Sequence, residues 1–244
     1  MGKPATDEEL EAKSQSENQT IGRGVNLNSA QSGDVPWMDF RLSEEVMNYL
    51  WGAINHLPEQ QLDARKRLAG NISKSDYIED KDDWFYENVL KAFCETMYLE
   101  NWNNYYNVCV AKIAPHPIFE LYEMWTNYQK QHEFNPPHTH EGFFSFVVFM
   151  KIPTYWEEQY KRPAASNSNT PCASDFQFLL GNGRGITTIA IPLCPEDEGR
   201  ILFFPSWLSH QVFPFYGTEE ERITISGNVV RKGLDNLTYH NNPK

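Results

Sequence analysis

Three histidines in this chain have the residue type and spacing of a metal site. His138 and His140 are separated by a single residue, and His210 follows an apolar segment further along the chain. In extended backbone, residues i and i+2 project to the same side, so His138 and His140 would present two imidazoles to one point. With His210 as third ligand, the trio predicts a transition metal site. The alternative is a pair of surface histidines next to the prolines at 136–137.

A polar strand face downstream of His210 could bind a carboxylate. Arg222 and Thr224 alternate with Ile223 and Ile225, which places the guanidinium and the hydroxyl on one face of a strand. Arginine binds carboxylates through two parallel hydrogen bonds, so this face predicts an acidic ligand. The alternative is an ion pair between Arg222 and the acidic run 219–221.

A second strand offers two weaker candidates for the same ligand. Asn127 and Gln129 share one strand face and could donate hydrogen bonds to a co-substrate or substrate. Their neighbours Trp125 and Tyr128 are more typical of packing. Lys151 ends another predicted strand, where a surface role is the simpler interpretation.

The elements that position these residues are predicted from hydrophobic periodicity. An apolar stripe predicts a helix over 42–57, with Ser43 before two glutamates at its start, and a second apolar stripe predicts a helix over 81–99. The period then changes to that of strands. The predicted strands are 119–131, 143–152, 176–180, 185–193, 199–204 and 222–230. We therefore expect a mainly β protein with N-terminal helices, of the α+β class.

Four regions follow from this pattern. Residues 1–34 are polar and predict a flexible tail, 35–104 a helical support region, 105–232 the β core, and 233–244 a C-terminal tail. Within the core, the polar, proline-containing stretch 153–175 has the length of a lid or binding loop.

Composition limits the partners. The 244 residues include 21 Lys and Arg against 33 Asp and Glu, a net charge of −12 that argues against duplex nucleic acid and anionic membranes. The sequence contains neither a membrane-spanning apolar run nor a secretory leader, and its four cysteines lack a CxxC spacing, so we expect reduced thiols and a cytoplasmic location. A small-molecule or peptide substrate fits this composition, and the oligomeric state is open.

These motifs together resemble those of the 2-oxoglutarate/Fe(II)-dependent dioxygenase superfamily. That family has H-x-D/E on one strand, a distal His, and an Arg followed two residues later by a hydroxyl residue; here His138, His140, His210, Arg222 and Thr224 match. The strings NPPHTHEGFFSFVVFMKIP and GRILFFPSWLSHQVFPF are similar to a branch of oxygenases from marine phages and bacteria with an HxH first motif. The resemblance covers about 105–232 and implies a double-stranded β-helix, a cupin-like jelly-roll barrel.

The resemblance also implies an activity and its cofactors. Fe(II) would be bound by His138, His140 and His210, and the far carboxylate of 2-oxoglutarate by Arg222 and Thr224. With O₂, the enzyme would couple 2-oxoglutarate decarboxylation to hydroxylation of a substrate such as peptidyl proline or another amino-acid side chain. If the chain is phage-encoded, its location would be the host cytoplasm.

One departure from the family pattern leaves alternatives open. His140 stands where the family has Asp or Glu, and Glu141 is an alternative third ligand. A three-His cupin-type metal dioxygenase that does not use 2-oxoglutarate is a second hypothesis. A non-catalytic β-sandwich, as a binding or virion protein, is a third.

Overall fold

The computed structural model describes residues 37–56, 62–98, 117–181 and 185–233. The predicted tail at 1–34 and nearly all of 233–244 lie outside the described residues. Within the described residues, ten strands form two antiparallel sheets. The strands are β1 Met38–Arg41, β2 Lys74–Ile78, β3 Phe119–Gln129, β4 Asn135–His138, β5 Phe144–Lys151, β6 Phe176–Gly181, β7 Ile186–Ile191, β8 Arg200–Pro205, β9 His210–Val212 and β10 Arg222–Arg231.

The larger sheet has six strands in the order β1-β8-β5-β10-β3-β2. Its central strands are apolar on both faces because both faces are covered. In β8, Ile201 and Phe203 pack with the helices, whereas Leu202 and Phe204 pack with the second sheet. The predicted mainly β class, with few helices and antiparallel sheets, is confirmed.

The smaller sheet has four strands in the order β4-β9-β6-β7. The inward side chains of both sheets form one apolar cluster, in which Phe149 of the larger sheet contacts Phe176 of the smaller one with ring centroids 6.3 Å apart. The space between the two sheets is therefore the interior of the β core, and residues facing it are available to a buried site.

The helices cover the outer face of the six-stranded sheet. Helix α1, Glu44–Asn55, begins at Ser43, whose side chain accepts a hydrogen bond from the Val46 N–H, and it buries Leu50 and Ile54. The second predicted helix is a composite of a 3₁₀ turn Lys81–Asp83, a π-helical segment Tyr86–Leu90 and α2 Lys91–Met97. Within the described part of the chain, no helix combines the length and hydropathy needed to cross a membrane.

Four strands were not predicted from the sequence. The region predicted as helical support also contributes β1 and β2, which extend the larger sheet at its two edges. Strand β4 contains two prolines, and β9 has only three residues. These segments are too short or too rich in proline to show a strand period, and they form because a neighbouring strand offers backbone partners.

Candidate metal centre

The structure brings the three predicted histidines together. His138 ends β4 and His210 begins β9, and the two residues lie directly opposite each other in the smaller sheet. His140 follows two residues after β4. One ligand nitrogen from each side chain lies within 4.8 Å of the others, and the Nε2 atoms of His140 and His210 are 3.1 Å apart. The i, i+2 argument and the strand pairing thus converge on one point.

Hydrogen bonds orient two of these imidazoles for coordination. Nδ1 of His138 lies 2.7 Å from the Pro136 carbonyl oxygen, and Nδ1 of His210 lies 3.0 Å from the Leu208 carbonyl oxygen. Because a carbonyl only accepts hydrogen bonds, each Nδ1 is protonated and each Nε2 keeps its lone pair. This second-sphere pattern is typical of histidines that bind metals.

Burial favours the neutral form of all three rings. It lowers the pKa of His138, and it lowers that of His140 to about 3, with a smaller effect of the nearby His138. It also lowers the pKa of His210 well below 6.5, with further effects of the other two rings. Neutral imidazole is the coordinating form, so the donor set fits a divalent transition metal.

Glu141, the alternative third ligand, lies outside this cluster. Its side chain is 67 % exposed, and its carboxylate lies 3.7 Å from the Arg67 guanidinium. The structure therefore favours His140 over Glu141 as the third ligand.

Arg222 is fully buried at the start of β10, opposite Gln129 in β3. One terminal nitrogen donates to the carbonyl oxygen of Ser174 at 2.9 Å and also to its hydroxyl, and the other lies 3.5 Å from Gln129 Oε1. Nε has no hydrogen-bond partner among the described residues. Burial lowers the pKa of Arg222 to about 10, with Asp175 as the opposing charge.

The alternative for Arg222 is an ion pair with the acidic run 219–221, and two residues of that run have other partners. Glu219 accepts a hydrogen bond from Gln131, and Glu220 pairs with Lys151 at 2.8 Å. Lys151 is accordingly a surface residue, as predicted from its position.

One cavity of about 130 Å³ joins the histidines to Arg222. Thr224 and Asn127 also line this cavity, and the two residues are direct cross-strand neighbours in β10 and β3. The Ser75 hydroxyl donates to Asn127 Oδ1 at 2.7 Å, which orients the amide so that its NH₂ group is its remaining donor. Gln129 lines the cavity too, but its NH₂ donates to the Glu133 carbonyl oxygen at 2.6 Å.

Sequence reasoning missed the residues that hold Arg222. Ser174 lies at the end of the segment 153–175, predicted as a lid, and its φ of 76° is unusual for a residue with a side chain. The next residue, Asp175, is buried and accepts a hydrogen bond from Tyr160 in the short helix α3, Trp156–Tyr160. Burial raises the pKa of Asp175. No spacing in the sequence indicates these contacts, because they join positions far apart in the chain.

Part of the chain is similar to a known protein family. Residues 123–228, a little under half of the chain, match a family described as "Putative 2OG-Fe(II) oxygenase". No curated protein matches the chain.

Several solved structures are similar to this chain at low sequence identity. A prolyl-4-hydroxylase from Pseudomonas putida is 13 % identical, with a TM-score of 0.49 over 81 % of this chain and 93 % of that one. A Trichoplax adhaerens prolyl hydroxylase in complex with a hypoxia inducible factor peptide is 11 % identical, with a TM-score of 0.46 over 93 % and 94 %. HygX from Streptomyces hygroscopicus, with nickel and 2-oxoglutarate bound, is 9 % identical, with a TM-score of 0.42 over 94 % and 89 %.

The matched segment contains all three histidines and Arg222, and the cavity between them has the donors that a metal and an acidic co-substrate need. By this match, residues 123–228 are similar to the family of 2OG-Fe(II) oxygenases, and the three histidines lie together where a metal ion could be held.

Proposed function

We propose that this chain is an Fe(II)/2-oxoglutarate-dependent dioxygenase of the hydroxylase type, built on a jelly-roll core. One observation supports this proposal above the others. A single cavity holds a cluster of three neutral imidazoles and a fully buried guanidinium whose Nε has no partner among the described residues. A site of that kind suits a metal next to a carboxylate-bearing ligand.

The histidine cluster is the proposed metal site. His138, His140 and His210 would hold Fe(II) through one nitrogen each, and their neutral forms are already favoured before the metal binds. When bound, Fe(II) supplies the redox chemistry that couples decarboxylation of 2-oxoglutarate to oxidation of a substrate C–H bond.

Arg222 and Thr224 are the proposed partners of the far carboxylate of 2-oxoglutarate. A buried cation with an unsatisfied donor lowers its free energy by pairing with an anion in the same dry cavity. Thr224 adds a hydroxyl on the same face of β10, and Asn127 presents its amide from directly across the sheet. Gln129 lies against Arg222, and we propose that it orients the guanidinium and the co-substrate together.

The chain's apolar residues exclude water from this site. Phe149, Phe176 and Phe204 line the cavity, and the Phe176 ring stacks on His210 with centroids 5.3 Å apart. Such walls strengthen the charge interactions within the cavity because they lower the local dielectric constant.

The substrate would enter past an exposed rim. Arg67, Leu68 and Ala69 line the cavity and are exposed or half-buried, so this turn forms one side of the mouth. We propose a small-molecule or peptide substrate, with an amino-acid side chain such as peptidyl proline as the group oxidised. The phage-type branch and the cytoplasmic location stay predictions from the sequence.

An anaerobic titration tests the proposal. The purified metal-free chain receives Fe(II) and then 2-oxoglutarate, and the visible charge-transfer band of the keto acid bound to iron is recorded. We expect the band in the wild type, its loss in His138→Ala and in Arg222→Met, and its retention in His56→Ala. His56 is an exposed histidine at the end of α1 and is the matched control.

The other outcomes separate the rival functions. Metal binding without the band, together with an unchanged Arg222→Met variant, would support a three-His dioxygenase that does not use 2-oxoglutarate. That rival is favoured by one observation, the imidazole of His140 at a position where the resemblance implies a carboxylate. A chain that binds no metal would support a non-catalytic binding protein.

A further inference from the structure

A row of polar side chains, half-buried at Glu123 and buried at the other positions, crosses the larger sheet. Glu123 in β3, Asn228 in β10 and Ser145 in β5 are direct cross-strand neighbours. Asn228 Nδ2 donates to Glu123 Oε1 at 2.9 Å, and the Ser145 hydroxyl donates to Asn228 Oδ1 at 2.9 Å. The hydroxyl of Ser206, just after β8, lies 3.0 Å from that of Ser145. The row therefore crosses three strands of the sheet and ends just after a fourth.

The direction of every hydrogen bond in this row is determined by Glu123. A carboxylate only accepts, so Asn228 must turn its NH₂ toward Glu123 and its oxygen toward Ser145. Because the Ser145 proton is then used on Asn228, Ser206 must donate to Ser145. A chain with a single donor direction is more rigid than one whose hydroxyls can reverse.

The row ends on the backbone that presents His140. The His140 N–H donates to the Ser206 carbonyl oxygen at 2.9 Å, and the Ser206 N–H donates to the Phe143 carbonyl oxygen at 3.1 Å. The turn between these two bonds contains Gly142 at φ +97°, where a Cβ would lie 2.9 Å from the Val229 carbonyl oxygen. The turn that follows the third metal ligand is thus bound to the sheet at several points.

The outer end of the row reaches the cavity mouth. Arg67 donates to Glu123 Oε2 at 3.0 Å and lies 3.7 Å from Glu141, the residue after His140. Arg67 therefore connects Glu123 to the His140 turn from the solvent side.

The burial of this row suggests a task other than stability. Ser145, Ser206 and Asn228 are all less than 5 % exposed. Buried polar groups that are hydrogen-bonded contribute little net stability, and apolar residues of similar size could fill these positions about as well. The polar choice is explained if the row orients something that an apolar core would leave less fixed.

We infer that Glu123, Asn228, Ser145 and Ser206 are positioning residues for the metal ligand His140. They touch neither metal nor substrate; they act through the Ser206 backbone, which holds the His140 N–H. This inference rests on the proposed function, because it requires that the three histidines bind a metal.

The test measures metal affinity and coordination geometry rather than turnover. Co(II) is titrated into the metal-free chain, and its visible ligand-field spectrum is recorded for wild type, Asn228→Leu and Ser145→Ala. We expect Co(II) binding to weaken by about tenfold in the variants, the lower end of the effect seen for second-sphere partners, with a changed spectrum. Ser206→Thr keeps the hydroxyl and should restore wild-type binding relative to Ser206→Ala.

Thr126→Val is the matched control. Thr126 lies in β3, as Glu123 does, and its buried hydroxyl has no hydrogen-bond partner among the described residues. The control removes one buried hydroxyl from the same strand and should leave Co(II) affinity unchanged. Far-ultraviolet circular dichroism confirms that each variant is folded, and if Asn228→Leu fails to fold, Ser145→Ala decides.

Two failures can be told apart. Wild-type binding of Co(II) with unchanged affinity and spectrum in Asn228→Leu and Ser145→Ala would overturn the inference alone. A wild-type chain that binds no Co(II) would overturn the proposed function and this inference with it. An equal loss of affinity in Thr126→Val would show that any buried change in the sheet disturbs the site, and would also overturn the inference.

Discussion

Replacing Arg222 with methionine separates a co-substrate role from a structural role. Methionine has a similar length and no charge, so the variant keeps most of the packing over Phe215, whose ring centre lies 5.1 Å from the guanidinium carbon. If Arg222 binds 2-oxoglutarate, its replacement should mainly reduce the stabilisation that 2-oxoglutarate provides. If Arg222 is a structural cation, its replacement should strongly lower the free energy of unfolding of the ligand-free chain.

The structure gives the expected size of the effect on the ligand-free protein. Burial lowers the pKa of Arg222 from 12.5 to about 10, which corresponds to about 3 kcal/mol against the folded state at every pH below about 10. Two hydrogen bonds from the charged group to Ser174 return about 1.5 to 3 kcal/mol each. Together the two bonds return about 3–6 kcal/mol, so Arg222→Met should lower the free energy of unfolding by about 0–3 kcal/mol.

Thermal melting with and without ligand is the assay. With Mn(II) as a redox-inert metal and 2-oxoglutarate near a hundred times its dissociation constant, the wild type should gain about 3 kcal/mol. The variant should gain nothing beyond the effect of Mn(II) alone. Equal stabilisation of both chains by 2-oxoglutarate would refute the assignment. So would a loss well above about 3 kcal/mol in the ligand-free variant, since Arg222 would then be a structural cation, and removing one partner of a buried charge costs about 3–5 kcal/mol.

Three further predictions follow from the same site. The pKa values of His140 and His210 lie far below that of unfolded histidine, so the free energy of unfolding of the metal-free chain should fall by about 1 kcal/mol for each ring as the pH is lowered from about 7.5 to 5.5. Urea unfolding measures this change, and a pH-independent midpoint would contradict it. Gly227→Ala should lower stability by about 1–3 kcal/mol, because a Cβ there would lie 2.6 Å from the Glu123 carbonyl oxygen and 2.7 Å from the Phe146 ring; an unchanged melting temperature would show that the strands can separate. The dissociation constant of Mn(II), measured by calorimetry, should fall when 2-oxoglutarate is present, and identical values would contradict the coupling argued below.

The parts of the fold that the sequence predicted are those with a local period. Helix α1 shows an apolar stripe and a capping serine, and β5 shows a continuous apolar run, so each can be recognised without its neighbours. Strands β4 and β9 show no such period, although they hold His138 and His210. Strand β4 forms by pairing with β9, and β9 forms between β4 and β6; pairing between distant segments is not evident from either segment alone.

The candidate site divides in the same way. The histidines and Arg222 were predicted because their side chains do chemistry that few residue types can do. Ser174 and Ser206 were missed because they act largely through backbone carbonyl groups, which every residue has. Their roles depend on which distant group the fold brings against them, and residue type gives no signal of that.

The imidazole of His140 changes the charge balance of the whole cavity. Three neutral nitrogens bring no negative charge to a divalent metal, and Arg222 adds a cation to the same space. No acidic side chain is among the residues that line this cavity in the described structure. Asp175 opposes part of the guanidinium charge from outside the cavity lining, and a dianionic keto acid would neutralise the positive charge that the metal adds at low dielectric. Metal and 2-oxoglutarate should thus strengthen the binding of each other by the same factor, since coupling between two sites is reciprocal.

A carboxylate at position 140 would supply part of the negative charge from the protein itself. His140→Asp should therefore tighten metal binding without 2-oxoglutarate and reduce the coupling between the two ligands.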